Sequence, residues 1–137
     1  MVFIIVHLII FMVTKLGKIF LVEDDPTLID MYSIKFKDEG YDVIVSSQGT
    51  DAPEVAKKEI PDIILLDIIL PGMDGFAILE AVKKEPKTKN IPVILLSNLG
   101  QDSDIEKGKK LGAVDYLVKA NFTPTQVLEK IKSIIKK

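Results

Sequence analysis

An α/β fold built on one parallel sheet is what this sequence predicts, and three observations predict it. From Lys18 onward short apolar runs alternate with amphipathic segments, which is the pattern of βα units. The strand-like runs are apolar along their whole length rather than at every second position, so they belong to a sheet covered on both faces. Five such βα units follow one another, which implies that the strands run parallel. The expected form is a doubly wound sandwich of three layers, with helices on each side of five strands.

The elements follow in order. "KIFLV" is the first strand; Asp25 then caps a helix with Pro26 at its first position, and Leu28, Ile29, Tyr32 and Phe36 recur at helical spacing until Gly40 ends it. "YDVIVS" is the second strand. Thr50 to Glu59 forms a short helix with Pro53 in its first turn, "DIILL" the third strand, and a helix from Gly75 carries Phe76, Leu79 and Val82 on one side. "PVILLS" is the fourth strand. Gln101 to Leu111 reads as a poorly anchored helix, with Gly108 inside it at a cost of about 1 kcal/mol relative to alanine. "AVDYLV" is the fifth strand. Thr123 and Gln126 make a capping box around Pro124, ahead of a last helix whose apolar face is Val127, Leu128, Ile131, Ile134 and Ile135.

Composition narrows the function. A chain of 137 residues with 47% hydrophobic content buries one core, and its net charge of -2 disfavours a polyanionic partner. All 18 basic residues are lysine, so arginine's bidentate grip on phosphate and guanine is missing, and no nucleic-acid partner is expected. The absence of cysteine removes disulfides, thiol nucleophiles and cysteine-ligated zinc, and suits a reducing, cytoplasmic setting.

Residues 1–14, "MVFIIVHLIIFMVT", are foreign to the rest: nearly all apolar, with a lone histidine, and shorter than the roughly 20 residues a membrane-spanning helix needs. Three readings stay open for them. They are an accessory extension the fold does not need, a membrane or partner contact, or an added strand, in that order of weight. Residues 15–137 then form the single domain.

In a sheet of this kind ligands bind outside the carboxyl ends of the strands. Strand one ends in Glu23, Asp24 and Asp25, strand three in Asp67, strand four in Ser97 and strand five in Lys119. Carboxylates converging there repel one another unless a cation holds them ionised, and a hard, oxygen-seeking ion such as Mg²⁺ suits the set. Asp67 is then a candidate nucleophile, Lys119 and the metal neutralise phosphoryl oxygens, and the Ser97 hydroxyl contacts the transferred group. Pro71, Gly72 and Gly75 shape an open loop behind Asp67. Taken singly, each residue also has a plain reading: a helix-start acid, a turn hydroxyl, a surface lysine, a strand aromatic. Their joint placement at four strand ends favours chemistry.

The segments "VEDD", "LLDIILPGMDG", "VILLSN" and "DYLVK", in this order and spacing, resemble the receiver domain of two-component response regulators, and the resemblance covers Lys18 to Lys137. It implies a flavodoxin-like strand order 2-1-3-4-5. Residue by residue it implies Glu23 and Asp24 as the acidic pair, Asp67 as phosphoacceptor and metal ligand, and Ile69 as a metal ligand through its backbone carbonyl. It further implies Ser97 as the hydroxyl position, Tyr116 as the switch aromatic and Lys119 as the family's lysine. Mg²⁺ is the implied cofactor and a histidine kinase or phosphotransfer protein the implied phosphodonor.

Two departures stand out. Ala120 follows Lys119 where the family usually has proline, so a trans bond is expected. Asn98 replaces a small residue after the hydroxyl position and narrows access to Asp67. The expectation is a stand-alone receiver that signals by protein contact through the face of the fourth helix, fifth strand and fifth helix. It is not an enzyme in its own right, since a hydrolase of this chemistry would want a second aspartate where Ile69 stands. The alternative is a pseudo-receiver that binds partners without being phosphorylated.

Overall fold

The five apolar runs do form strands, β1 (Gly17–Val22), β2 (Tyr41–Ser46), β3 (Ile63–Leu66), β4 (Val93–Ser97) and β5 (Asp115–Val118), all parallel and in the order β2-β1-β3-β4-β5. Five helices alternate with them: α1 (Pro26–Asp38), α2 (Ala52–Glu59), α3 (Gly75–Lys84), α4 (Asp102–Lys110) and α5 (Pro124–Ile135). The computed structural model describes Val2, Ile4, Ile5 and residues 15–135. Val2, Ile4 and Ile5 are helical and exposed, not strand; the rest of the expectations for 1–14 lie outside the described residues.

Alternate strand residues point to opposite faces, and each face has its own core. Phe20, Val22, Ile64, Leu66, Val93, Leu95 and Tyr116 meet Ala52, Ala56, Phe76, Leu79 and Val82 of α2 and α3. Ile19, Leu21, Ile63, Leu65, Ile94, Leu96 and Leu117 meet Tyr32, Phe36, Val127, Leu128 and Ile131 of α1 and α5. Both faces of the sheet are covered, as the continuous apolar runs require. Each large aliphatic or aromatic side chain buried this way contributes about 1.5–3 kcal/mol.

Helix boundaries follow the local chemistry. Asp25 Oδ1 accepts from the amides of Thr27 (2.9 Å) and Leu28 (3.3 Å), and α1 starts at Pro26. Before α5 the capping box is reciprocal: the Thr123 amide donates to Gln126 Oε1 (2.9 Å) and the Gln126 amide to Thr123 Oγ1 (3.2 Å). Helix α4 is held as thinly as the sequence implies, with Gly108 its one fully buried residue. Yet Gly108 is more than a weak helix former, because a Cβ there would stand 2.5 Å from Leu95 Cδ1; its bareness lets α4 lie close on β4.

The register aligns the strand ends. Val22 pairs with Leu66 across β1 and β3, and the Asp67 amide donates to the Val22 carbonyl at 3.0 Å, so Glu23 and Asp67 leave the sheet side by side. Ser97 pairs with Val118, which brings Lys119 to the same edge.

Gly75 closes the loop behind Asp67. Its amide donates to the Ile68 carbonyl at 2.8 Å, and a Cβ at this position would lie 2.4 Å from both the Asp67 carbonyl oxygen and Ile68 Cα. Backbone cannot yield as a flexible side chain does. Gly75→Ala is therefore predicted to lower stability by about 1–3 kcal/mol, read as a reduced urea midpoint; an unchanged midpoint would contradict this contact.

Candidate functional site

The carboxyl edge of the sheet gathers the predicted residues, and Lys119 is the hub. Its Nζ lies 2.6 Å from Glu23 Oε1 and 2.7 Å from Asp67 Oδ2, with the lysine side chain 13% exposed and both carboxylates nearly buried. The second oxygen of Glu23 accepts from the amides of Asp24 (3.1 Å) and Asp25 (3.2 Å), at the turn leading into α1. The second oxygen of Asp67 accepts from the Ile69 amide at 3.1 Å. Both buried carboxylates are thus oriented at each oxygen, which fixes their rotamers.

Asp24 completes an acidic cluster. One oxygen from each of Glu23, Asp24 and Asp67 comes within 4.8 Å of the others, with Asp24 exposed at the mouth. Three carboxylates facing one ammonium leave a surplus of two negative charges when all are ionised. Hard oxygen donors with that surplus fit a divalent, oxygen-seeking cation such as Mg²⁺.

Burial pushes the Glu23 carboxyl above the usual carboxylate range; the Lys119 hydrogen bond pulls the other way without cancelling it, and Asp67 adds repulsion. For Lys119 burial alone would favour the neutral amine, but its hydrogen bonds to Asp67 and Glu23 outweigh burial and hold the ammonium above the ordinary lysine value. A charged lysine is thereby kept at the edge of the core.

Ser97 is fully buried at the end of β4 and bonds to neither Asp67 nor Lys119; its Oγ accepts from the Leu99 amide at 3.3 Å. Tyr116 lies inward between β5 and α4, and its hydroxyl donates to the Leu99 carbonyl. Burial raises the phenol's pKa, which keeps it a donor. The peptide unit of Leu99 therefore touches both Ser97 and Tyr116, a link the sequence could not signal because it runs through a main-chain carbonyl and amide. Lys119 opens a 3₁₀ turn, Lys119–Asn121, and no peptide bond among the described residues is cis, so the trans expectation at Ala120 holds. Asn98 is exposed beside the cleft, and the Ile69 side chain is 58% exposed on its rim.

Sequence reasoning assigned Lys119 to phosphoryl oxygens and left its present partners open. The ion pair with Glu23 is the part it missed. Only the register of β1 against β3, and of β4 against β5, reveals it.

Comparisons with known proteins bear on the family to which the chain belongs. Residues 19–132 match the family model of the response regulator receiver domain. The DNA-binding dual master transcriptional regulator RpaA of Synechocystis is 34% identical over 120 residues, covering 88% of this chain and 49% of RpaA, so the chain spans about half the length of that relative. The BeF3-activated N-terminal receiver domain of RstA from Klebsiella pneumoniae superposes with a TM-score of 0.80 at 32% identity, covering 88% of this chain and 99% of that one. The receiver domain of the sensor histidine kinase PA1611 from Pseudomonas aeruginosa, with a magnesium ion coordinated in its active-site cleft, has a TM-score of 0.80 at 26% identity, over 88% and 98% of the two chains. Sheet order, strand-end residues and family match converge on one assignment: this chain belongs to the receiver domains of two-component response regulators.

Proposed function

We propose that Asp67 accepts a phosphoryl group from a phosphohistidine of a histidine kinase or phosphotransfer protein, and that the chain signals by contact with a downstream protein. One observation carries this reading: Asp67 is a nearly buried strand-end carboxylate within 4.8 Å of two further carboxylates and 2.7 Å from an ammonium. In the transfer an Asp67 oxygen bonds to phosphorus as the phosphorus–nitrogen bond breaks and imidazole leaves. Glu23, directly or through water, Asp24, Asp67 and the Ile69 carbonyl would hold Mg²⁺. When bound it supplies positive charge to the phosphoryl oxygens.

The remaining roles belong to the chain itself. Lys119 has three N–H donors and spends two on Glu23 and Asp67, which leaves one for a phosphoryl oxygen. The Ser97 Oγ accepts from the Leu99 amide and its side chain also meets the Tyr116 hydroxyl, so turning its proton to the phosphoryl group would loosen it from Tyr116. Tyr116, tied to Leu99, carries the change toward α4. Output through the face of α4, β5 and α5 is supported by the thin anchoring of α4, since switching elements come from the less stable parts of a fold. The acidic balance and the all-lysine basic set support a protein partner rather than nucleic acid for these residues, and a cytoplasmic setting fits the absence of cysteine. Nothing in this reading requires turnover of a substrate.

Three outcomes are expected. With acetyl phosphate and Mg²⁺ the wild type gains one phosphoryl mass and Asp67→Asn gains none by intact mass; equal labelling moves the acceptor elsewhere. For Glu23 the sign follows from its raised carboxyl: its contribution to stability is full below the unfolded value, ordinarily 4.5, and is lost as pH rises through the higher folded value. At neutral pH without Mg²⁺, Glu23→Gln therefore melts above wild type, and Mg²⁺ stabilises wild type more than the variant; the reverse order would contradict the burial argument. Third, Ile69 is branched and apolar at the rim of the cleft and cannot orient an attacking water. Ile69→Asn is predicted to shorten the phosphoryl lifetime about tenfold, followed as decay after donor removal, and equal or slower decay would sink the shielding role.

A further inference from the structure

A groove of about 520 Å³ lies between the loop that follows Asp67 and the α3 side of α4, away from the face made with β5 and α5. Its apolar lining comes from Ile69, Leu70, Met73, Phe76 and Leu99, and Lys107 of α4 borders it. Ile69 is 58% exposed there. Met73 is unbranched and adapts its shape to what it meets.

Lys107 is the informative residue. Some helix lysines have carboxylate partners, as in Lys35 with Glu39 and Lys130 with Asp115, while Lys109 and Lys110 of α4 extend from an exposed surface. Lys107, like those two, has no ion pair among the described residues, and what sets it apart is where its charge is held. Its Nζ instead sits 4.5 Å over the Phe76 ring, so a positive charge is held above the apolar floor. Asp74, also in the lining, caps α3 through Oδ1, which accepts from the Phe76 amide at 2.9 Å, and its second oxygen has no hydrogen bond among the described residues. The groove thus combines an apolar base with one positive group, Lys107, and one carboxylate, Asp74.

We propose that this groove docks a segment of a partner protein in which an apolar side chain is flanked by a carboxylate. The apolar side chain takes the floor, its carboxylate neighbour meets Lys107, and a backbone N–H meets Asp74. The volume suits one anchoring side chain with its backbone, within the range of 300–1,000 Å³ typical of binding clefts. Docking there places the partner one loop away from Asp67.

The test uses the full chain, methyl-labelled, titrated with N-acetyl-phenylalanyl-aspartate amide and with its asparagine counterpart, followed by NMR. Expected are saturable shifts at the methyls of Ile69, Leu70, Met73 and Leu99, with the aspartate probe binding about threefold tighter than the asparagine probe. Lys107→Gln should erase that preference, while Lys109→Gln, on the same helix outside the groove, should keep it. Absence of saturable shifts at those methyls, or equal affinity for the two probes in wild type, overturns the proposal. Concentration-dependent shifts at the same methyls without probe would assign the groove to a second copy of the chain and overturn it as well.

Discussion

The buried ammonium of Lys119, shared between Glu23 and Asp67, is the interaction on which the carboxyl edge of the sheet depends. Taking a carboxylate out of water costs several kcal/mol, and two side by side repel each other besides. Hydrogen bonds to the lysine, to main-chain amides at the turn into α1 and to the Ile69 amide offset that cost without removing it, since the Glu23 carboxyl stays above its ordinary range. The residual strain is chemical rather than conformational. It leaves the edge receptive to added positive charge and to a group that offers the lysine new acceptors.

That receptivity is mounted on the sheet and lies close to a helix that buries little. β1 and β3 hold Glu23 and Asp67 through main-chain pairing, while β4 and β5 hold Ser97 and Lys119. The peptide of Leu99 then joins the Ser97 hydroxyl to the Tyr116 phenol. Beyond it lies α4, resting on the sheet at Gly108 and pinned at Lys107 by a ring rather than by an ion pair. A change at the hydroxyl therefore has a short physical route to the helix least secured by burial.

The parallel sheet and the residues at its edge were legible in the sequence because each depends on local pattern, whereas the strand order came from the family resemblance. Continuous apolar runs meant two covered faces, Asp25 with Pro26 and Thr123 with Gln126 marked helix starts, and lone polar residues after apolar runs marked the strand ends. Other features depend on distance in the chain or on main-chain atoms. The Glu23–Lys119 pair needs the strand register, the Tyr116–Leu99 bond uses a carbonyl any residue could supply, and Gly108 looked like a defect until Leu95 was seen beneath it. The apolar residues 1–14 carry no periodic signal that separates their readings, and only Val2, Ile4 and Ile5 add anything to them.

The separation of 52 residues between Asp67 and Lys119 has a consequence for how the molecule is assembled. As the chain leaves the ribosome, β1 and β3 can pair while Lys119 is still unmade, so the two inward carboxylates meet first without their counter-charge. The arrival of β5 and its lysine then relieves the repulsion, which ties the last edge of the sheet to completion of the cleft. A chain that has not finished folding is in this way also one whose acidic cleft still lacks its lysine, so completion of the cleft reports on completion of the sheet.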